Sequence, residues 1–346
     1  MKPLQYKGQQ VQAFMLRNGS MEAVVTNFGA RLVSLCVPDR RGTLTDVVMG
    51  FDHLDDYFPE NHLSDFGAVI GRYANRLAGG RITVDGIGYQ LPQNNGPNCL
   101  HGGLDGWQYK VFEVNHADAT RLSMSLVSPD GDNGFPGEVR ATVTYSLAAD
   151  GALRIDYGAT CNRPTVLNIT NHSYFNLGGT DRQPSTVHDH SLCINADSFL
   201  PVDDTMIPLG HFQPVTGTPM DLRQPRRVGE GLDSGYEAIV NARGYDHCWV
   251  LNGNADLTHR AACLLCPATG IAMDLFTTQP GVQLYTGNFL DGVIGKHGVA
   301  YNRQTAICLE TQQFPDAPNH CWPQSSGRLS PDQPFQSTTI FKFYIS

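Results

Sequence analysis

The feature that most constrains the fold of this chain is an alternation of apolar and polar residues with a period of two. Residues 138–147 read Glu-Val-Arg-Ala-Thr-Val-Thr-Tyr-Ser-Leu, so an extended chain would place apolar side chains on one face and polar side chains on the other. The same pattern recurs at residues 122–126 and 153–157. It is typical of β-strands with one buried face.

Turn signals separate these segments. Asp85-Gly86 lies between two short strand-like runs at residues 82–89 and can supply the positive φ values of a type I′ hairpin, and Asp150-Gly151 is a second turn signal. The 36 Gly and 21 Pro interrupt the chain at short intervals, and helical periodicity over ten or more residues is hard to find. No low-complexity linker divides the sequence. We therefore predict a mostly β fold with two or more packed antiparallel sheets, in a single domain over residues 1–346.

Charge and hydropathy restrict the partners. A net charge of −9 and a pI near 5.7 argue against nucleic-acid binding. No run of about 18 apolar residues predicts a membrane span, and the N-terminal residues lack the apolar core of a signal peptide. The nine cysteines are scattered and odd in number, which favours free thiols in a reducing compartment. We expect a cytoplasmic protein with no membrane and no nucleic-acid partner.

Two short motifs resemble metal sites. Cys263-Leu-Leu-Cys266 has no second Cys pair or His pair downstream and reads as part of a buried strand. His188-Asp189-His190 has no third ligand nearby in sequence and reads as a solvated loop. We predict no metal and no cofactor.

Five segments concentrate polar groups in apolar strand contexts, where burial is costly unless the groups are partnered. Singly, each has a structural explanation: a His beside Gly-Gly can end a turn, and Glu310 can point outward from an edge strand. Together they supply two imidazoles, two carboxylates, a guanidinium and several amides, which suit binding a neutral polyol and moving its protons. The segments are 71–76, 98–103, 168–176, 244–247 and 308–312.

With residues 128–137 and 277–288, these segments resemble the aldose 1-epimerase (galactose mutarotase) family, in the family's order from about residue 20 to the C-terminus. The resemblance implies a large antiparallel β-sandwich of the galactose mutarotase type with an open sugar cleft. It implies an isomerase of hexose metabolism that interconverts the α and β anomers of free aldoses such as galactose and glucose. The stretch from about residue 178 to 240 carries no motif that we can interpret.

By this resemblance Glu310 is the general base and His172 the general acid, and the sugar is held by Asn75, Arg76, His101, Tyr174, Asp246 and Gln283. Mutarotation removes a proton from the anomeric hydroxyl and delivers one to the ring oxygen, so a carboxylate and an imidazole suffice without a cofactor. We expect these two groups on either side of the same pyranose. The expected partner is a monosaccharide, and the expected assembly is a monomer or weak homodimer.

Two further residues, His247 and Trp107, are open to more than one interpretation. Strand alternation sends His247 to the face opposite Asp246, so we expect a structural role for His247 if Asp246 faces the sugar. Trp107 follows the 98–103 segment and can either stack on a sugar or fill the core.

Three other functions are compatible with parts of the pattern. Asp246 and Glu310 could be the carboxylate pair of a glycoside hydrolase. A carbohydrate-binding domain without catalysis would retain the cleft, although the presence of both His172 and Glu310 argues against it. An enzyme for phosphorylated hexoses would need more Arg or Lys around the cleft than we find.

Overall fold

The computed structural model describes residues 3–180, 184–253 and 256–346. Its largest sheet is antiparallel and has nine strands. In spatial order they are Glu113–Ala117, Arg121–Ser128, Val139–Leu147, Ala152–Cys161, Phe335–Ile345, Ile271–Thr277, Ala262–Leu265, Ser191–Ile194 and Arg226–Arg227.

Two further antiparallel sheets complete the main framework. A five-stranded sheet has the order Gln213–Pro214, Ser198–Phe199, Asp246–Val250, Gly281–Tyr285 and Cys308–Gln312. A four-stranded sheet has the order Ala13–Asn18, Met21–Thr26, Leu32–Pro38 and Leu44–Asp46.

The remaining strands form two-stranded pairs: Gln5–Tyr6 with Gln9–Gln10, Arg76–Leu77 with Cys99–Leu100, Ala68–Ile70 with Thr170–His172, Arg81–Val84 with Ile87–Gln90, Thr165–Val166 with Arg328–Leu329, and Val293–Ile294 with Ala300–Tyr301. The α-helices are Val228–Leu232 and Glu237–Asn241. Short 3₁₀ turns span Leu54–Tyr57, Ala78–Gly80, Trp107–Tyr109, Asp132–Gly134, Val187–Asp189, Lys296–Gly298 and Ala317–Asn319. In the described part of the chain, no helix has the length and apolarity needed to cross a membrane.

The predicted strands and hairpin are present. In strand Val139–Leu147 every second residue is buried, beginning with Val139, as the alternation predicts. Val84 pairs directly with Ile87, and the two loop residues between them, Asp85 and Gly86, have φ values of 50° and 79°. Positive φ at both positions is the mark of a type I′ turn.

The two largest sheets pack face to face. The back of the five-stranded sheet contributes Trp249, Val282, Leu284 and Leu309 to the same apolar cluster as residues of the nine-stranded sheet such as Phe341. The Oγ1 atoms of Thr311 and Thr339 also meet across this interface at 2.6 Å. The prediction of a large, mostly β antiparallel sandwich is therefore confirmed. The front face of the five-stranded sheet remains available for a site.

One buried guanidinium explains why residues 128–137 lie close to the 71–76 segment. Arg72, 2% exposed, donates from Nη1 to the carbonyls of Pro136 and Gly137 at 2.9 and 2.7 Å. Its Nη2 donates to the carbonyl and the hydroxyl of Ser128 at 2.9 and 2.7 Å. Arg72 therefore holds a loop in place and does not point toward the cleft described next.

Candidate active site

Strand alternation assembles one wall of the site. Gln283 pairs with Glu310, and Asp246 pairs with Tyr285, across three neighbouring strands of the five-stranded sheet. Directly opposed residues point to the same face of a sheet, and so do residues two apart on one strand. These four side chains therefore share the front face, while the residues between them point into the core.

The second wall comes from the pairing of Thr170–His172 with Ala68–Ile70. The His172 ring stacks on Tyr174, with centroids 4.8 Å apart and planes inclined by 9°. The Nε2 atom of His172 lies 3.6 Å from Oε1 of Glu310, and the two residues are 5% and 2% exposed. The expectation that they flank a pyranose from two sides is wrong, because this gap has no room for a ring: the two groups lie side by side.

Asn75 and His101 hold each other in place. Both adopt left-handed backbone conformations, with φ values of 66° and 52°. The Asn75 N–H donates to Nδ1 of His101 at 3.1 Å, and the His101 N–H donates to the carbonyl of Asn75 at 3.1 Å. Non-glycine residues in this region are uncommon and concentrate at functional sites, where surrounding contacts offset the strain.

Arg76 is positioned by an amide and a carboxylate. Its Nε donates to Oδ1 of Asn95 at 3.0 Å, and its Nη1 lies 3.7 Å from Oδ2 of Asp246. Asp246 also accepts a 2.6 Å hydrogen bond at Oδ1 from Nε2 of Gln283. Gln283 is thus partnered with Asp246 on the front face of the sheet.

These walls enclose a cleft of about 350 Å³, which is within the usual size range of small-molecule sites. The predicted site residues line it, apart from Gln283, whose Nε2 atom is hydrogen-bonded to Asp246. The lining residues are Asp65, Asn75, Arg76, Asn95, Leu100, His101, His172, Tyr174, Asp246, Tyr285, Phe289 and Glu310.

The sequence analysis did not identify five of these lining residues: Asp65, Asn95, Leu100, Tyr285 and Phe289. Tyr285 had a signal, because it lies two residues after Gln283 on the same strand and therefore on the same face. Asp65 and Asn95 are in irregular segments where no periodicity indicates the direction of a side chain.

Burial dominates the protonation of the site. It raises the pKa of Glu310 well above its ordinary value, and the carboxylates of Asp246 and Asp65 raise it further. Burial lowers the pKa of His172 to about 3, with an added contribution from His101. Burial and the nearby Arg76 lower the pKa of His101 to about 3. Burial thus favours the protonated form of Glu310 and the neutral form of both imidazoles.

Other residues that the sequence singled out lie outside the cleft. His247 is fully buried beside Phe199, as its position next to Asp246 predicts. Trp107 is 1% exposed and belongs to the main apolar cluster, against the backbone of Gly71, so it fills the core. The Trp107 indole packs so closely against Gly71 that a Cβ atom on Gly71 would not fit.

The two motifs that resemble metal sites are part of the surrounding structure. The His188-Asp189-His190 motif is not the solvated loop that the sequence predicts, because Val187–Asp189 forms a 3₁₀ turn and His190 is 2% exposed. Nε2 of His190 accepts a hydrogen bond from the Leu177 N–H, and Nε2 of His188 lies 2.7 Å from Oε1 of Gln304. Cys263 is in the strand Ala262–Leu265, and Cys266, which follows that strand, is buried; both are free thiols.

Comparison with known proteins agrees with this geometry. The family model described as Aldose 1-epimerase matches residues 12–342. The chain is 42% identical to galactose mutarotase of Rattus norvegicus over 341 residues, which cover 98% of this chain and 96% of that one. It is 42% identical to galactose mutarotase of Bos taurus over 339 residues, covering 97% and 95% of the two chains.

A solved structure extends the likeness to the fold. The crystal structure of an aldose epimerase homologue from C. elegans superimposes with a TM-score of 0.89 at 31% sequence identity, covering 97% of this chain and 99% of that chain. The family model and these relatives thus show that the chain belongs to the aldose 1-epimerase family.

Proposed function

We propose that this protein is an aldose 1-epimerase that interconverts the α and β anomers of free aldoses such as galactose and glucose. The observation that carries the proposal is the Glu310–His172 pair, whose Oε1 and Nε2 atoms lie 3.6 Å apart in a cleft of about 350 Å³. The anomeric oxygen and the ring oxygen are bonded to the same carbon. Two neighbouring catalytic groups can therefore reach both oxygens at once.

A single proton on the pair accounts for the whole cycle. Ring opening starts when the proton of the pair has passed from Glu310 to His172. Carboxylate Glu310 then takes the proton of the anomeric hydroxyl, protonated His172 gives its proton to the ring oxygen, and the C1–O5 bond breaks as the aldehyde forms. The pair then holds its proton on Glu310, which is the distribution that burial favours. After rotation about C1–C2, both transfers reverse and the ring closes to the other anomer.

The charges around the cleft suit a neutral sugar. Three carboxylates line it, Asp65, Asp246 and Glu310, with Arg76 as the guanidinium among its lining residues. A phosphate dianion would need several cationic donors, so this lining disfavours phosphorylated hexoses. Amide, guanidinium and imidazole groups next to aromatic rings such as Tyr174 fit the hydroxyls and the apolar faces of a pyranose.

The domain organisation, the cellular location and the oligomeric state are also part of the proposal. We propose one domain over residues 1–346, since the main apolar cluster combines side chains from Leu16 to Phe343. We propose a cytoplasmic enzyme, because all nine cysteines are free thiols. We propose a monomer or weak homodimer, because a single chain brings both Glu310 and His172 into one cleft.

Polarimetry on freshly dissolved α-galactose and α-glucose tests the activity. Added protein is expected to accelerate the approach to the equilibrium rotation in proportion to its concentration, above the spontaneous rate. An unchanged rate with both sugars would refute the proposal. Release of phenol from aryl galactosides is the matching test for hydrolysis, and we expect none.

A further inference from the structure

One carboxylate in the cleft has no part in the proton transfers. A carboxylate oxygen of Asp65 and one ring nitrogen from each of His101 and His172 all lie within 4.8 Å of one another. The Oδ1 atom of Asp65 is buried and, within the described ranges, has no hydrogen-bond partner. A buried carboxylate oxygen without a donor is destabilising. The missing donor is therefore expected to come from a ligand.

The backbone around Asp65 is held firmly. Arg31, with no exposed surface, donates to the carbonyls of Ser64 and Phe66, the residues on either side, at 2.9 and 3.0 Å. The Gly67 N–H donates to the carbonyl of His172 at 2.9 Å. The carboxylate is thus presented to the cleft by a fixed support that is joined to the strand of the proposed acid.

The spacing of the three groups suits the oxygen atom of a hydroxyl group. Because the three atoms lie within 4.8 Å of one another, a single oxygen can lie at most about 2.8 Å from each, within hydrogen-bond distance.

The tautomer of His101 supports the same choice. Its Nδ1 accepts the Asn75 N–H, so the proton of the neutral ring is on Nε2. A protonated nitrogen donates a hydrogen bond and cannot bind a metal. His101 therefore offers a donor beside the acceptor of Asp65, and a hydroxyl group matches both.

We propose that Asp65, His101 and His172 form a hydroxyl subsite, in which Asp65 accepts a hydrogen bond from one hydroxyl of the aldose. The inference rests on the proposed function. Because His172 serves the ring oxygen, this hydroxyl is one of the three that lie three bonds from that oxygen, at C2, C4 or C6. Asp65 is thus a specificity-determining residue that selects aldoses carrying this hydroxyl over their deoxy analogues.

The experiment compares Asp65→Ala and Asp65→Asn with the wild type on galactose and on its 2-, 4- and 6-deoxy analogues. Asp65→Ala is expected to lower kcat/KM for galactose by about 10- to 100-fold, the usual effect of losing a hydrogen bond to a charged group. For one of the three deoxy sugars, the variant and the wild type should have equal kcat/KM. The other two deoxy sugars should lose as much as galactose does.

Controls separate this result from a folding defect. No protein donor loses a hydrogen bond at Asp65 Oδ1, but the Asp65 charge offsets part of the cost of burying Arg31, so all rates are compared at a temperature where circular dichroism shows both variants folded. Asp55→Ala removes the same charge from an exposed position outside the cleft and should leave all four kcat/KM values unchanged.

Three results would overturn the subsite. They are a galactose kcat/KM of Asp65→Ala within twofold of wild type, an equal loss on all four sugars, and submicromolar Zn²⁺ binding that disappears in Asp65→Ala. If the wild type accelerated no mutarotation, the proposed function would fail by itself. Calorimetric Kd values for the same sugars and variants would then decide the subsite separately.

Discussion

Gln283 donates a 2.6 Å hydrogen bond from Nε2 to Oδ1 of Asp246, and only Asp246 of the two reaches the cleft surface. The amide restrains a carboxylate that also lies 3.7 Å from Arg76. We infer that Gln283 acts on the sugar by positioning Asp246.

Gln283→Leu therefore tests a positioning role. We expect KM for galactose to rise about tenfold while kcat stays within about threefold, since a hydrogen bond to a charged group contributes about 1.5–3 kcal/mol. Steady-state polarimetry measures both constants. Gln336→Leu, at an exposed position of the nine-stranded sheet, is the control. A loss confined to kcat would show that Gln283 acts in the chemical step instead.

Glu310→Gln retains the shape of the side chain and removes the base. We expect kcat to fall by about 10²–10⁴ with KM changed only a few-fold. Glu230→Gln, which neutralises a carboxylate that pairs with Arg226 on the surface, should retain full activity. Near-normal turnover by Glu310→Gln would remove Glu310 from the mechanism.

The same variant has an expected stability signature. The raised pKa of Glu310 means that the folded protein binds this proton more tightly than the unfolded chain does, so its contribution to stability falls as pH rises above the ordinary value of 4.5. Because glutamine does not titrate, Glu310→Gln lacks this fall in stability with rising pH. Urea unfolding at pH 8 should thus find the variant at least as stable as wild type. Lower stability at pH 8 would contradict the assigned direction of the pKa shift.

The pH profile of kcat/KM should have a broad plateau between an acid limb and an alkaline limb. Activity needs one proton on the Glu310–His172 pair. The acid limb should therefore lie far below 6.5, because the pKa of His172 is lowered to about 3, and the alkaline limb should lie well above 4.5, because that of Glu310 is raised. Polarimetry with the spontaneous rate subtracted measures the profile, and circular dichroism checks the fold at each pH. An acid limb near 6.5 would indicate an ordinary imidazole and refute the assignment.

Arg76 should contribute to both binding and rate. Arg76→Ala is expected to lower kcat/KM by about 10- to 100-fold through a higher KM and a lower kcat, since charge-assisted hydrogen bonds contribute about 1.5–3 kcal/mol. Arg76→Lys should recover part of the loss, because it restores the charge without the bond from Nε to Asn95. Kinetic constants for Arg76→Ala equal to wild type would exclude a role in the site.

Arg72, four residues earlier, should affect stability alone. Arg72→Met leaves the carbonyls of Ser128, Pro136 and Gly137 without their donors, and we expect a loss of about 3–5 kcal/mol in the free energy of unfolding with KM unchanged. Arg163→Met is the control, because this exposed pair with Asp130 should contribute at most about 1 kcal/mol. Urea unfolding measures the free energy of unfolding of both variants. Equal losses for Arg72→Met and Arg163→Met would refute the structural role of Arg72.

The strands were predictable wherever one face is buried, because burial imposes a two-residue period that is readable without coordinates. Val139–Leu147 and the Asp85-Gly86 hairpin are the clearest examples. Residues 184–240 gave no such signal. They contain strands of two to four residues and two five-residue helices, too short for a periodicity to appear.

The sequence by itself determined the mostly β architecture, the family resemblance and the residue types available for acid–base chemistry on a polyol, because these depend on local periodicity and on the order of motifs. Only the tertiary structure decided which side chains meet. It placed Glu310 beside His172 from strands more than 130 residues apart, Gln283 within hydrogen-bond distance of Asp246, and Asp65 next to two imidazoles. The physical reason is that strand register, sheet packing and burial are long-range properties. They set the distances and pKa values on which the proposed chemistry depends.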